Sequence, residues 1–143
     1  MEYISKNEDE TERIAKEVFL GSSFGDIFAL SGDLGSGKTA FVKAFAKAAG
    51  IKKSITSPTF VILKQYSFPA GSDDKNKYLV HADCYRMETE EDALSVGLPE
   101  YFERDDVIMF IEWPEKISKI LPENVKNIRF EYINETTRKI IVD

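Results

Sequence analysis

The stretch Ser31-Gly32-Asp33-Leu34-Gly35-Ser36-Gly37-Lys38-Thr39 has the residue types and spacing to hold the phosphates of a nucleotide. It fits G-x-x-x-x-G-K-[ST], with Gly32, Gly37, Lys38 and Thr39 at the fixed positions. Glycines let the backbone curl round a phosphate with no Cβ in the way. The N–H groups of Gly35, Ser36 and Gly37 can then point inward as an anion cradle. Lys38 supplies a mobile ammonium for the outer phosphates, and the Thr39 hydroxyl is a ligand for Mg²⁺. A nucleoside triphosphate, ATP or its product ADP, is the ligand this loop predicts.

Two further residues have the chemistry to complete such a site. Asp83 follows the apolar-rich stretch Lys77-Tyr78-Leu79-Val80-His81-Ala82, and Glu112 follows Asp106-Val107-Ile108-Met109-Phe110-Ile111. A carboxylate at the end of a buried strand is where nucleotide-hydrolysing folds place their metal-orienting acid. One of the two would hold Mg²⁺ through water while the other orients or deprotonates the attacking group; spacing does not assign these roles. His81 is the single histidine, and a lone histidine in a strand is more often a packed side chain than a base. Thr56, Ser57 and Thr59 crowd hydroxyls round Pro58. They read either as turn chemistry or as a switch-like loop touching the γ-phosphate or the metal. Arg86 either reaches a phosphate or pairs with a nearby glutamate.

Elements that position these groups are legible in the hydrophobic pattern. Asp26–Leu30 reads as a buried strand before the loop, and Ala40–Gly50 as a helix after it, closed by glycine. Strand, loop, helix is the order a phosphate loop requires. Upstream, Asn7 caps a helix through Leu20, with acids in the first turn and Ile14, Ala15, Val18 and Phe19 on one stripe. Val61–Phe68 and Lys77–Ala82 are strands joined by a hairpin connection through residues 69–76. Short helices are expected over Glu88–Gly97 and Leu98–Arg104, and another over Pro114–Leu121 with proline in its first turn. Val125–Ile133 and Arg138–Val142 alternate as an antiparallel hairpin. The class is α/β: one three-layer domain over residues 1–143, its sheet parallel at the centre with antiparallel strands added.

Composition narrows the classes. The chain has 143 residues, 43% hydrophobic and 31% charged, as in an ordinary globular protein. No apolar run approaches the ~20 residues of a membrane helix, and the polar start Met1–Glu8 reads as neither signal nor transit peptide. Cys84 is the only cysteine, which excludes an internal disulfide and points to the reducing cytoplasm. A net charge of −6, from 25 acidic against 19 basic residues, argues against gripping DNA or RNA through a broad basic face. Lys43, Lys47, Lys52 and Lys53 crowd after the loop and read equally well as a solvated helix face.

Taken together, Gly32–Thr39, Ser57-Pro58-Thr59-Phe60, His81-Ala82-Asp83-Cys84-Tyr85-Arg86 and Ile111-Glu112-Trp113 resemble the bacterial TsaE family, formerly called YjeE. The resemblance spans Glu8 to the C-terminal hairpin. It implies a small P-loop ATPase needed to make threonylcarbamoyladenosine beside the anticodon of tRNA. Such proteins dock on the partners TsaD and TsaB, reach tRNA through that complex, and reset it by hydrolysing ATP. Carried over by motif, Lys38 and the Gly35, Ser36 and Gly37 backbone hold the phosphates, and Thr39 and Glu112 hold Mg²⁺. Thr59 belongs to the switch-like loop, and Asp83 is essential for hydrolysis. Thr11 meets the nucleotide from the N-terminal helix, Trp113 sits near the site, and Arg138 lines the base pocket.

Rival classes are a small-molecule kinase and a nucleotide-dependent interaction module without turnover. Scattered arginines argue against the Arg-rich lid of a kinase. Lys38, Thr39, Asp83 and Glu112 together argue for retained catalysis. No N-K-x-D sequence is present to read guanine.

Overall fold

Every residue of Val107–Glu112 is buried, the mark of a strand covered on both faces. In the computed structural model, which describes residues 1–55, 63–69 and 76–143, this run is the hub of the sheet. In chain order the elements are β1 (Glu2–Ser5), α1 (Glu8–Leu20), β2 (Ile27–Ser31), α2 (Lys38–Ala48), β3 (Leu63–Ser67) and β4 (Tyr78–Asp83). Then follow α3 (Glu90–Ser95), a 3-10 turn (Leu98–Tyr101), β5 (Val107–Glu112), a second 3-10 turn (Pro114–Ile117), β6 (Lys126–Tyr132) and β7 (Arg138–Val142). The strands form one sheet in the order β1-β7-β6-β2-β5-β4-β3. Pairs β6–β2, β2–β5 and β5–β4 are parallel, and the outer pairs are antiparallel. The expected mixed sheet with a parallel centre is therefore present.

Side chains alternate between the two faces, and each face has its own apolar cluster. On one face Phe28, Leu30, Leu79, Ile108, Phe110, Ile128 and Phe130 pack under α1 and α2. On the other, Ile27, Val80, Ala82, Met109 and Ile111 pack under α3 and the two 3-10 turns. Phe110 is the centre of the first cluster. It stacks on Phe28 at 5.0 Å and meets the edge of Phe45 at 4.7 Å and of Phe41 at 6.3 Å. Local signals agree with this packing. Asn7 Oδ1 accepts the Glu10 N–H at 2.9 Å to start α1, and Asp92 accepts the N–H groups of Glu88 and Thr89 to start α3.

Three expectations need correcting. A helix over Pro114–Leu121 does not form; only the 3-10 turn Pro114–Ile117 does, followed by turns in which the Ile120 and Leu121 N–H groups both bond to the Ile117 carbonyl, and Pro122 prevents a helix from continuing. The turn at Leu98–Tyr101 is likewise 3-10 and stops short of Arg104. Helix α2 begins at Lys38, so Lys38 and Thr39 are already helical. Strand β1, without a signature in the hydrophobic pattern, pairs antiparallel with β7 and buries Ser5 completely. The predicted strand from Val61 is seen from Leu63; the loop hydroxyls and most of the 69–76 connection lie outside the described residues.

No described helix is long and apolar enough to cross a membrane. Replacing the buried hub, Phe110→Ala, is expected to lower the unfolding free energy by about 3–5 kcal/mol, while Leu20→Ala at a 71% exposed position changes it by less than about 0.5 kcal/mol. Chemical denaturation of the two variants checks this, and equal losses would contradict the assigned hub.

Candidate functional site

Parallel pairing brings the candidate acids to one edge. Leu30 of β2 is level with Glu112 of β5, and Glu112 with Asp83 of β4. Paired residues on parallel strands share a face, so both carboxylates lie on the side that carries α2. The loop leaving β2 crosses this edge and enters α2, whose first turn carries Lys38 and Thr39.

The loop is drawn tight against the sheet. A Cβ on Gly32 would stand 2.6 Å from the Phe130 carbonyl oxygen, and its φ of 144° already favours glycine. Gly37, at φ 105°, turns the chain into α2 directly beside the Arg138 side chain. The Ser36 hydroxyl is buried and has no hydrogen-bond partner among the described residues, as expected of a polar group whose partner is a ligand. Lys38, 5% exposed, donates to the carbonyls of Gly32 and Asp33, the second at 3.1 Å, and lies 4.2 Å from the Trp113 ring centroid. Burial pushes its ammonium below the usual lysine range, against the pull of Glu112, Glu115, Asp83 and Asp33.

Thr39 donates its hydroxyl to Glu112, at 3.1 Å from Oε2 and 3.3 Å from Oε1. His81 Nε2 is 2.5 Å from Glu112 Oε2, and both side chains are buried. Asp83 is half-buried and accepts the Tyr85 N–H at 2.9 Å. Burial raises its pKa above 3.8, the Tyr85 bond opposes this, and Glu112 adds to the rise. Immediately after Glu112 the chain turns through Trp113 at φ 58° and ψ 53°. This left-handed conformation costs about 1–2 kcal/mol for a non-glycine residue. It is held by the contact with Lys38 and by the Tyr85 ring at 5.0 Å.

A cavity of about 470 Å³ opens over this arrangement, lined by the loop, Thr39, Asp83, Arg86, Glu112, Trp113 and Arg138. A second, of about 580 Å³, is lined by Asn7, Thr11, Lys43 and Arg138 among others, and meets the first at Gly37, Ala40 and Arg138. Thr11 is positioned by Ser5, hydroxyl to hydroxyl at 2.6 Å, so the unforeseen β1 supports a predicted residue. Arg138 donates to the carbonyls of Asn134 and Thr137 and lies over the Tyr132 ring at 4.9 Å. Lys38, Thr39, Asp83, Glu112, Trp113, Arg138 and the loop glycines are thus brought together, with Thr11 in the adjoining cavity. Thr59 lies outside the described residues.

The arrangement suits a phosphate chain with a cation better than a bare metal. Among the described residues no group of three histidine, cysteine or acidic side chains stands ready to bind a metal alone. A cation here would therefore draw ligands from Thr39, from water on Glu112 and from phosphate oxygens. Phosphates beside Asp83 and Glu112 in turn need a positive charge between them and those carboxylates. The contact of His81 with Glu112 was not foreseen in the sequence, although a period of two from Asp83 places His81 on the same face.

Since the Asp83 carboxyl binds its proton more tightly folded than unfolded, stability falls as pH rises from 3.8 through the raised folded value. Asp83→Asn removes that loss and keeps the acceptor for Tyr85. Without nucleotide or divalent cation, the variant is expected to melt above wild type at pH 7, and the two are expected to converge below about pH 3. A pH-independent difference in melting temperature would contradict the raised value.

Comparison with known proteins gives the family. The family model described as Threonylcarbamoyl adenosine biosynthesis protein TsaE matches residues 5–140. The tRNA threonylcarbamoyladenosine biosynthesis protein TsaE of Bacillus subtilis is 40% identical over 134 residues, covering 94% of this chain and 79% of the relative. Its counterpart in Treponema pallidum is 33% identical over 142 residues and covers 99% of both chains. The crystal structure of Bacillus subtilis YdiB superposes with a TM-score of 0.78 at 33% identity, covering 99% of this chain and 83% of that one. With one family matched over nearly its whole length, by sequence and by fold, the chain belongs to the TsaE family of threonylcarbamoyladenosine biosynthesis proteins.

Proposed function

We propose that this chain is a Mg²⁺-dependent ATPase whose hydrolysis of ATP to ADP and phosphate serves the tRNA-modifying pair TsaD and TsaB. The observation that carries the reading is the Thr39–Glu112 contact under the phosphate loop, at the carboxyl ends of three parallel strands. Triphosphate fits the first cavity, where the Gly35, Ser36 and Gly37 N–H groups and Lys38 meet its oxygens. The nucleoside fits the second, past Gly37, between Thr11 and Arg138. Bound Mg²⁺ would neutralise charge developing on the phosphate oxygens. Thr39 offers its hydroxyl oxygen as a ligand, and Glu112 accepts hydrogen bonds from the cation's water. Asp83, facing the same cavity, orients the attacking water by accepting its proton in a hydrogen bond.

Arg86 and Arg138 are the arginines that line the first cavity, and Arg138 is occupied by the carbonyls of Asn134 and Thr137. Turnover by the isolated chain is accordingly slow, and a docked partner accelerates it by completing the charge round the transferring phosphoryl group. A reducing, cytoplasmic setting matches this role, as does indirect contact with tRNA through the complex.

The experiment is ATP hydrolysis with and without TsaD, TsaB and tRNA, for wild type and Glu112→Ala. Partner stimulation is expected for wild type, with a loss of about 10- to 100-fold in the variant. Equal rates with and without partners would remove the partner role, and unchanged turnover in Glu112→Ala would remove the metal role.

A further inference from the structure

His81 is more costly than its packing explains. It is fully buried, level with Phe110 on β5 and on the same face as Leu79. Its Nδ1 is buried with no hydrogen-bond partner among the described residues. A ring that only filled space here would be replaced at lower cost by an apolar side chain, which leaves no polar atom orphaned. What distinguishes the position is the Nε2 contact to Glu112 Oε2 at 2.5 Å.

The metal reading given above takes Glu112 as a carboxylate, which only accepts hydrogen bonds, and on that reading Nε2 carries the proton and donates it. Thr39 does not choose between the two oxygens of Glu112, which it meets at 3.1 and 3.3 Å. His81 does choose, because it touches Oε2 alone. We propose that His81 is a positioning residue for the divalent cation: by anchoring Oε2 from inside the sheet, it fixes the rotation of the Glu112 carboxylate. Oε1 is then left, with only its shared contact from Thr39, to receive water on the cation. The inference rests on the nucleotide and metal reading given above and adds a residue to it. Groups that orient a metal's carboxylate partners in this way alter metal affinity without touching the metal.

The test uses the whole chain and two amide variants. Gln places a donor nitrogen at the reach of Nε2; Asn stops at the reach of Nδ1, short of Glu112. The ADP dissociation constant is measured by calorimetry in EDTA and across a Mg²⁺ series. In EDTA all three proteins are expected to bind ADP alike. With Mg²⁺, His81→Gln is expected to stay within about threefold of wild type, and His81→Asn to need about tenfold more cation or more for half-saturation. An unshifted His81→Asn, or a His81→Gln as impaired as His81→Asn, would overturn the positioning role. ADP binding by wild type that ignores Mg²⁺ would instead overturn the metal reading itself, and this inference with it.

A second readout needs no variant. His81 is the only histidine, so its imidazole nitrogen signals in a ¹⁵N-labelled sample are unambiguous. An Nε2-bound proton is expected that moves when Mg²⁺ joins ADP and not when ADP binds alone. An Nδ1-bound proton on a neutral ring, or no response to Mg²⁺, would overturn the proposal.

Discussion

A carboxylate 3% exposed to solvent is the constraint from which the site follows. Taking such a charge out of water is tolerable only where hydrogen bonds replace the lost hydration. Glu112 finds them in the Thr39 hydroxyl above and the His81 ring beside it. Both donors come from elements that are distant in sequence and are fixed only by the sheet. The strand order, parallel register and start of α2 at Lys38 are therefore conditions for one buried acid. A polar network of this kind specifies its geometry closely, since a misplaced member leaves an unsatisfied charge.

Rigidity is supplied from directly below. Phe110 lies two residues before Glu112 on the same face and packs against Phe28, Phe41 and Phe45 from β2 and α2. The aromatic hub thus ties together the strand that delivers the acid, the strand that delivers the loop and the helix that delivers Thr39. Trp113 shows the opposite treatment one residue beyond Glu112. There the backbone is held in an unfavourable conformation, which places an aromatic face over Lys38. Strain of this sort gathers where function fixes a side chain against local preference.

Much of this was legible in the residues because the loop and both acids carry local signatures. Glycine spacing announced the cradle, and unbroken apolar runs announced the strands that end in Asp83 and Glu112. Pairwise contacts between distant strands carry no such signature. A lone histidine in a strand reads as a packed side chain, and His81 is packed; its bond to Glu112 depends on β4 lying level with β5, which no local pattern encodes. Strand β1 escaped because four residues flanked by charge give too short an alternation, and its partner β7 is at the other end of the sequence. The region Pro114–Leu121 misled in the other direction. Apolar residues at helical spacing are present, but tight turns suffice to lay Ile117, Ile120 and Leu121 on the cluster beneath α3, and Pro122 closes the segment. Thr59 lies outside the described residues, and its part in the site rests on the family resemblance.

The packing of Gly37 against Arg138 has a consequence for biogenesis. The phosphate loop is made about ninety residues before its wall at Phe130 and Arg138, which belongs to the β6–β7 hairpin. β2 finds its neighbour β6, and β1 finds β7, only after that hairpin has left the ribosome. Long-range pairings of this kind form late and slowly. A nascent chain with the loop already synthesised therefore lacks the surfaces that enclose a nucleotide, and ligand capture is deferred until β6 and β7 have followed it.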